Sequence, residues 1–393
     1  MISEDKFTMI VKPKVRGFIC TTAHPAGCEA EVKAQIDYVK SQPKFNGPKK
    51  VLVIGSSMGY GLASRIAAAY GGGAATLGVM FDRAGSGNKT GTSGWYNTKA
   101  FEKFAAADGL YARTVNGDAY SDECKKEVIN IIKADLGKVD MVIYSLAAPR
   151  RTVGDKVYSS VLKTTGAPYT NKTIDLRTNE VSEITIQPAT EEEIEATVKV
   201  MGGEDWEAWI DALKAADAIE DGAVTAAYSY IGPSITHPMY FEGSIGRAKA
   251  HLFATAKKLT EKYADSGIKA YISVNKALVT QSSAAIPIVP LYISILYKVM
   301  KAHGTHEGCI EQMYRLFAQK LYNGEVPTDA EGRIRLDDLE MKPEIQEEVT
   351  KLWNGLTQDN LRECTDLDGY WSDFYALFGF GIDGVDYDAD VEV

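Results

Sequence analysis

The sequence predicts an α/β protein, a doubly wound parallel sheet with helices on both faces, and three observations predict it. Short β-rich runs alternate with amphipathic helical stretches along much of the chain. The first of these runs, Val51 to Ile54, is continuously apolar, as expected of a central parallel strand buried on both faces, and the others are similar. That run leads through a glycine-rich turn straight into a helical stretch, the arrangement of a Rossmann-like dinucleotide fold.

Taken in order, Val51-Leu52-Val53-Ile54 is followed by Ala75 to Met80, Arg113 to Val115 and Met141 to Tyr144. Val224 to Tyr230 and Ala270 to Val274 complete about six strands, the number a doubly wound sheet uses. Ser121 is expected to cap a helix with Asp122 and Glu123 in its first turn and Val128, Ile129, Ile132 and Leu136 along it. Ser244 is expected to cap another, whose Ile245, Ala248, Leu252, Leu259 and Tyr263 share one face. Pro343 stands where a first-turn proline is tolerated, ahead of Ile345, Val349 and Leu352.

Two regions depart from plain alternation. The stretch from Pro149 to about Gly222 is too long for a simple crossover. Within it, Lys172 to Leu176 and Val181 to Ile186 flank Arg177-Thr178-Asn179-Glu180 and read as a β-hairpin, and one helical stretch is expected from Glu191 through Leu213. After Pro287 the chain reads as mainly helical and closes on the acidic stretch 383–393. With no repeat or linker in view, residues 1–393 are expected to form a single decorated domain. Its core would be 9–148 and 223–280, its insertion 149–222, and its helical, substrate-binding C-terminal part 281–393.

Composition narrows the function classes. The 43 Lys and Arg against 53 Asp and Glu leave a net charge of −10, which argues against a general nucleic-acid binder. Hydrophobic residues at 45% and charged residues at 24% are ordinary globular values. Five widely spaced cysteines with no CxxC pair suit reduced thiols in a cytoplasmic enzyme. Met1-Ile2-Ser3-Glu4-Asp5-Lys6 lacks the pattern of a secretory signal. The apolar run Ala284 to Tyr297 is shorter than the roughly 20 residues a membrane span needs and is broken by Pro287, Pro290 and Ser294. It reads as a buried or substrate-facing segment.

The motif richest in chemistry is Gly55-Ser56-Ser57-Met58-Gly59-Tyr60-Gly61. Its glycines let backbone approach a pyrophosphate, whose charge then meets amides at a helix N-terminus. Asp82, after Phe81 at the end of the second strand, is placed to accept from ribose hydroxyls and to repel the extra phosphate of NADPH, although Arg83 beside it could accommodate that phosphate. Asp118-Ala119 after the third strand are placed to meet the adenine, and Ser145-Leu146-Ala147 after the fourth offer small residues where a cofactor passes close to backbone.

No Tyr-x3-Lys pair follows the fourth strand convincingly, but Tyr240 and Lys249 form a Tyr-x8-Lys spacing. Nine steps of about 100° put them on opposite faces of one helix, so the pair works only if Tyr240 precedes the helix opened near Ser244. Arg247, at Tyr-x6-Arg, is the rival basic residue, and spacing alone favours surface placement for both. His303, His306 and Cys309 offer three candidate ligands without a fourth and read as a helix end rather than a zinc site. His24 and Cys28 read as local packing.

From Met9 onward the chain resembles the monomeric, NADH-dependent trans-2-enoyl-CoA reductases, which share a family with one class of bacterial enoyl-ACP reductases. The resemblance rests on Met9 to Pro13, His24-Pro25-Ala26-Gly27-Cys28, Gly55 to Gly61, Met201-Gly202-Gly203-Glu204-Asp205-Trp206 and Ala227 to Pro233. Tyr240-x8-Lys249 and Ser273-Val274-Asn275-Lys276 complete it. It implies that Tyr240 is the proton donor, that Lys249 is its cofactor-binding helper and that Tyr230 contacts the substrate thioester. It also implies that Gly55, Ser56, Ser57, Met58, Gly59 and Tyr60 cradle the pyrophosphate, and that Phe81, Asp82, Asp118 and Ala119 hold the adenosine end. Leu146, Ala147, Leu278, Val279 and Thr280 would line the cofactor groove. The family commonly has Phe-Glu where this chain has Phe81-Asp82, and the shorter acid keeps its charge but reaches less far. The expected activity is NADH-dependent reduction of trans-2-enoyl-CoA in fatty acid metabolism by a cytoplasmic monomer, with no metal, nucleic acid or membrane span. The alternatives are the same chemistry on an acyl carrier protein and a non-catalytic NADH-binding protein.

Overall fold

The computed structural model describes residues 7–393, so the hexapeptide read for an export signal lies outside the described residues. Seven parallel strands form the central sheet: β1 (Lys50–Ile54), β2 (Ala75–Met80), β3 (Ala112–Asn116), β4 (Val139–Tyr144), β5 (Ile219–Ser229), β6 (Lys269–Val274) and β7 (Ile334–Arg335). Their order is β7-β6-β5-β4-β1-β2-β3. The doubly wound α/β fold is therefore the one expected, with one more strand. β7 pairs with β6 over only Ser273↔Ile334 and Val274↔Arg335, and two residues carry no period to read.

Each apolar strand serves two faces. In β1, Leu52 and Ile54 pack with Trp206, Trp209 and Leu252 on one side, while Val51 and Val53 pack with Val32, Leu62 and Phe101 on the other. A third core surrounds α8 (Val289–Ala302), which takes up the larger part of the run Ala284 to Tyr297 expected to be buried or substrate-facing, and draws in Ile345, Trp353, Tyr370 and Phe374.

Helix starts follow their chemistry, with two corrections. Ser121 caps the helix Asp122–Ile131 by accepting from Cys124 N–H at 3.1 Å. Ser244, by contrast, is the first residue of the helix Ser244–Lys262 and Gly243 is its cap. The Ser244 hydroxyl instead donates to the Val161 carbonyl at 2.6 Å. The single helix expected through Leu213 is two, Glu191–Met201 and Glu204–Ala215. They break at Gly202-Gly203, where a Cβ on Gly203 would stand 2.1 Å from Thr255 Oγ1.

The expected hairpin pairs Tyr169–Asp175 with Glu180–Ile186. A second, Arg150–Val153 with Lys156–Ser159, was not expected. Its signal was the Gly154-Asp155 pair between the strands, with Gly154 at φ 58°. The acidic C-terminal stretch returns to pair Val391–Glu392 with Thr8–Met9. Among the described residues no helix is long and apolar enough to cross a membrane.

Candidate active site

The chain leaves β1 toward β2 on one side and reaches β4 on the other, so a crevice opens beyond the carboxyl ends of β1 and β4. A cleft of about 850 Å³ occupies it. At its floor Gly55 (φ 83°) and Gly59 (φ 52°) adopt backbone that favours glycine. A Cβ on Gly55 would lie 2.2 Å from the Ser145 carbonyl, and one on Gly61 1.8 Å from the Gly55 carbonyl. The amides of Gly55 and Ser56 both donate to the Val79 carbonyl at 2.9 Å. Those of Ser57 to Gly61, opening α2 (Gly59–Ile66), have no backbone acceptor among the described residues, which is the anion-binding end of a helix.

Beyond this turn Phe81, Asp82, Gly117, Asp118, Ala119 and Tyr120, the residues expected at the adenosine end among them, line the same cleft. Asp82 Oδ1 accepts from the Thr92 hydroxyl at 2.8 Å, and Asn116 holds the Asp82 backbone at both its N–H and its carbonyl. Buried Lys125 fixes the opposite wall. It donates to the carbonyls of Ala119 and Tyr120 and to Asp205 Oδ1 at 2.8 Å. Tyr144 donates to Asp205 Oδ2 at 3.1 Å, so the acid is satisfied although burial raises its carboxyl. Phe81 is 81% exposed at the rim.

Tyr240 lies before the helix of Lys249, as the spacing requires, and both side chains line the cleft. Lys249 is thus not at the outer surface that spacing alone favoured, whereas Arg247 is exposed. Lys249 Nζ donates to the Tyr228 carbonyl at 2.9 Å, and burial lowers its ammonium to about 8. Burial also raises the Tyr240 phenol, and no other group acts on it. Among the described residues its hydroxyl has no hydrogen-bond partner, so its proton is free for a molecule in the cleft.

Tyr230 packs against Tyr240 with ring centroids 5.1 Å apart at 80°. Its hydroxyl donates to Glu340 Oε1 at 3.0 Å. Leu146, Ala147, Leu278 and Thr280 line the same cleft. Two of the expected residues point elsewhere. Ser56 is fully buried with its hydroxyl on the Val79 carbonyl, and Val279 lines a separate cavity of about 290 Å³, its amide donating to Tyr297 Oη at 3.1 Å. His303 pairs with Glu348 and His306 packs on Tyr297, each bound into its own surroundings. His24 caps the helix Pro25–Ser41, and Cys28 is buried within it.

Sequence reasoning gave no role to Asn275, Lys276, Tyr292 or Glu340. Asn275 and Lys276 follow β6 and line the cleft, a position the fold itself could have flagged. Glu340 lies 110 residues from Tyr230, beyond any local spacing signal. The buried Asn275 Nδ2 has no partner among the described residues. With the amides of Ser57 to Gly61 it gives the cleft donors that fit a dinucleotide.

A family model described as the trans-2-enoyl-CoA reductase catalytic region matches residues 89–322, and one described as the NAD(P)H binding domain of trans-2-enoyl-CoA reductase matches residues 10–87. A trans-2-enoyl-CoA reductase [NADH] of Ruminiclostridium cellulolyticum is 59% identical over 98% of both chains. An enoyl-[acyl-carrier-protein] reductase [NADH] of Opitutus terrae is also 59% identical over 98% of both. The crystal structure of Clostridium acetobutulicum trans-2-enoyl-CoA reductase in complex with NADH superposes with a TM-score of 0.95 at 46% identity, covering 98% of each chain. A third model, described as an enoyl reductase FAD binding domain, matches residues 328–391. That segment does not fit a flavin dinucleotide. Its Ile345, Val349, Trp353, Tyr370 and Phe374 are packed into the core, and of its residues the large cleft includes Leu377 alone.

Proposed function

The chain belongs to the trans-2-enoyl-CoA reductase family, and from that premise we propose that it reduces the carbon-carbon double bond of a trans-2-enoyl-CoA to the saturated acyl-CoA with NADH. The observation that carries this reading is the unpartnered hydroxyl of Tyr240 in one cleft with the Lys249 side chain and the glycine turn. NADH, when bound, supplies the hydride for the β-carbon.

The protein's own groups do the rest. The amides of Ser57, Met58, Gly59 and Tyr60 and the Gly55 turn hold the pyrophosphate. Ser56 supports that turn from beneath. Phe81, Asp82, Asp118 and Ala119 hold the adenosine end, and the Asp82 carboxylate disfavours a 2′-phosphate. Leu146, Ala147, Leu278 and Thr280 wall the groove, and Val279 braces it from behind. As the β-carbon is reduced, negative charge moves to the thioester oxygen as an enolate. Tyr240 donates a hydrogen bond to that oxygen and supplies the proton that leaves the α-carbon saturated. Lys249 holds the ribose and stabilises the tyrosinate left behind. Tyr230 offers its ring and oxygen to the thioester, because its proton is given to Glu340. Ile286, Val289 and Ile293 wall the acyl end.

We further read residues 1–393 as one decorated unit with the core, insertion and C-terminal part expected above, acting as a cytoplasmic monomer in fatty acid synthesis. Support comes from the C-terminal helices sharing a core with Tyr240, Leu278 and Val279. The test is NADH oxidation with crotonyl-CoA, dodecenoyl-CoA and a crotonyl carrier protein, each repeated with NADPH. Crotonyl-CoA with NADH is expected to be turned over best among the short substrates. Turnover of the carrier-protein thioester alone would move the activity to that substrate, and no oxidation with any of them would leave a binding protein.

A further inference from the structure

Glu340 sits in the turn before the helix Pro343–Gly355 and is fully buried. A buried carboxylate is costly unless its oxygens are satisfied, and here three donors converge on it. Tyr230 Oη and Tyr292 Oη both donate to Oε1, at 3.0 and 2.7 Å, and the Ala277 amide donates to Oε2 at 2.7 Å. The neighbouring Lys276 ammonium, itself 2% exposed, donates to the Ala277 carbonyl at 3.0 Å.

These three donors come from three separate elements. Tyr230 follows β5 and carries the ring against Tyr240. Ala277 begins the segment 277–280 of the groove. Tyr292 is on α8 and does not itself line the cleft. An apolar residue would fill the same space without linking them, because only an acceptor with two oxygens can hold three donors in register.

We propose that Glu340 is a positioning residue for the reduction: it fixes the Tyr230 ring and the 277–280 wall, and through Tyr230 it sets the orientation of Tyr240. The inference rests on the function proposed above. It also explains how the protons are divided. Each phenol carries one, those of Tyr230 and Tyr292 go to Glu340, and the proton of Tyr240 is left for the substrate. The segment has a second anchor, since Val279 N–H donates to Tyr297 Oη and Tyr297 to Asp373 at 2.8 Å. Loss of Glu340 therefore spares NADH binding and acts on turnover.

The test is a cycle of Glu340→Gln, Tyr230→Phe and their double variant, reading kcat and KM for crotonyl-CoA and Kd for NADH. Glutamine offers one acceptor where three donors converge, so kcat is expected to fall on the order of 10- to 100-fold. NADH Kd is expected to move by less than about threefold. Because Glu340 acts through Tyr230, the double variant should lose about as much as the worse single one. Losses that multiply, or a Glu340→Gln enzyme with wild-type kcat, would overturn the assignment. Should Glu340→Gln not fold, Tyr292→Phe replaces it in the same cycle, with a loss of about 3- to 10-fold in kcat expected from a group that touches neither substrate nor cofactor. A wild-type enzyme inactive on crotonyl-CoA would remove the function itself, whereas an active one with multiplying losses removes only the role of Glu340.

Discussion

In the proposed reaction two side chains, Tyr240 and Lys249, divide the chemistry between them, and each yields a prediction. Removing the Tyr240 hydroxyl takes away a donor whose value appears as charge develops on the substrate oxygen. Tyr240→Phe should therefore lower kcat on the order of 100- to 1000-fold while leaving NADH Kd within about twofold. Lys249 is a base whose folded value, about 8, lies below its ordinary 10.5. It is charged below pH 8 and loses that charge as pH rises, so kcat/KM should fall above about pH 8 and the falling limb should vanish in Lys249→Met. The sign for stability is opposite. A lowered lysine penalises the folded state at pH values below its folded value, so near pH 7 Lys249→Met should raise the melting temperature of the cofactor-free protein by about 1–3 °C while lowering NADH affinity and turnover. A cofactor-free melting point that drops would show that the buried charge is compensated. In the sequence these residues were visible only as a loose spacing that pointed to the surface. The helix start near Ser244 was legible, but position along the chain does not reveal that Lys249 on it faces back into the cleft, and it was family resemblance that raised the pair to candidates.

Elements with a backbone reason were easier to read. The run from Val51 into Gly55 to Gly61 carried its own explanation, because an apolar strand, glycines and a helix start have few other uses together. Its prediction follows from the crowding around Gly55. In Gly55→Ala the new Cβ would meet the Ser145 carbonyl at 2.2 Å on backbone at φ 83°. Strain of about 1–3 kcal/mol should lower the melting temperature, and NADH Kd should rise by about tenfold or more. Unchanged affinity would mean the turn does not cradle the cofactor. The strands were legible for the same reason, apart from β7. The helix from Glu191 was not, because the Gly202-Gly203 break depends on Thr255, fifty residues away, leaving no room for a side chain. The Glu340 cluster was hidden more completely, since its members meet only after the C-terminal helices have packed on α8.

At the scale of the whole molecule, the proposal of one decorated unit rests on the three cores and on the pairing of Thr8–Met9 with Val391–Glu392. Unfolding should therefore give one thermal transition, raised by NADH in proportion to RT ln(1 + [L]/Kd). Two transitions of which only one responds to NADH would divide the unit. The net charge of −10 argues against a general nucleic-acid binder, but it does not identify the substrate, which depends on the cleft. The central claim is direct transfer from NADH to an enoyl thioester with Tyr240 supplying the proton, and isotopic labelling of the product tests it most directly. With crotonyl-CoA and NADH deuterated at both positions of nicotinamide C4, the butyryl-CoA should carry one deuterium, on C3. With ordinary NADH in deuterated water it should carry one on C2. Label from NADH lost to solvent, or found on C2, would contradict the account.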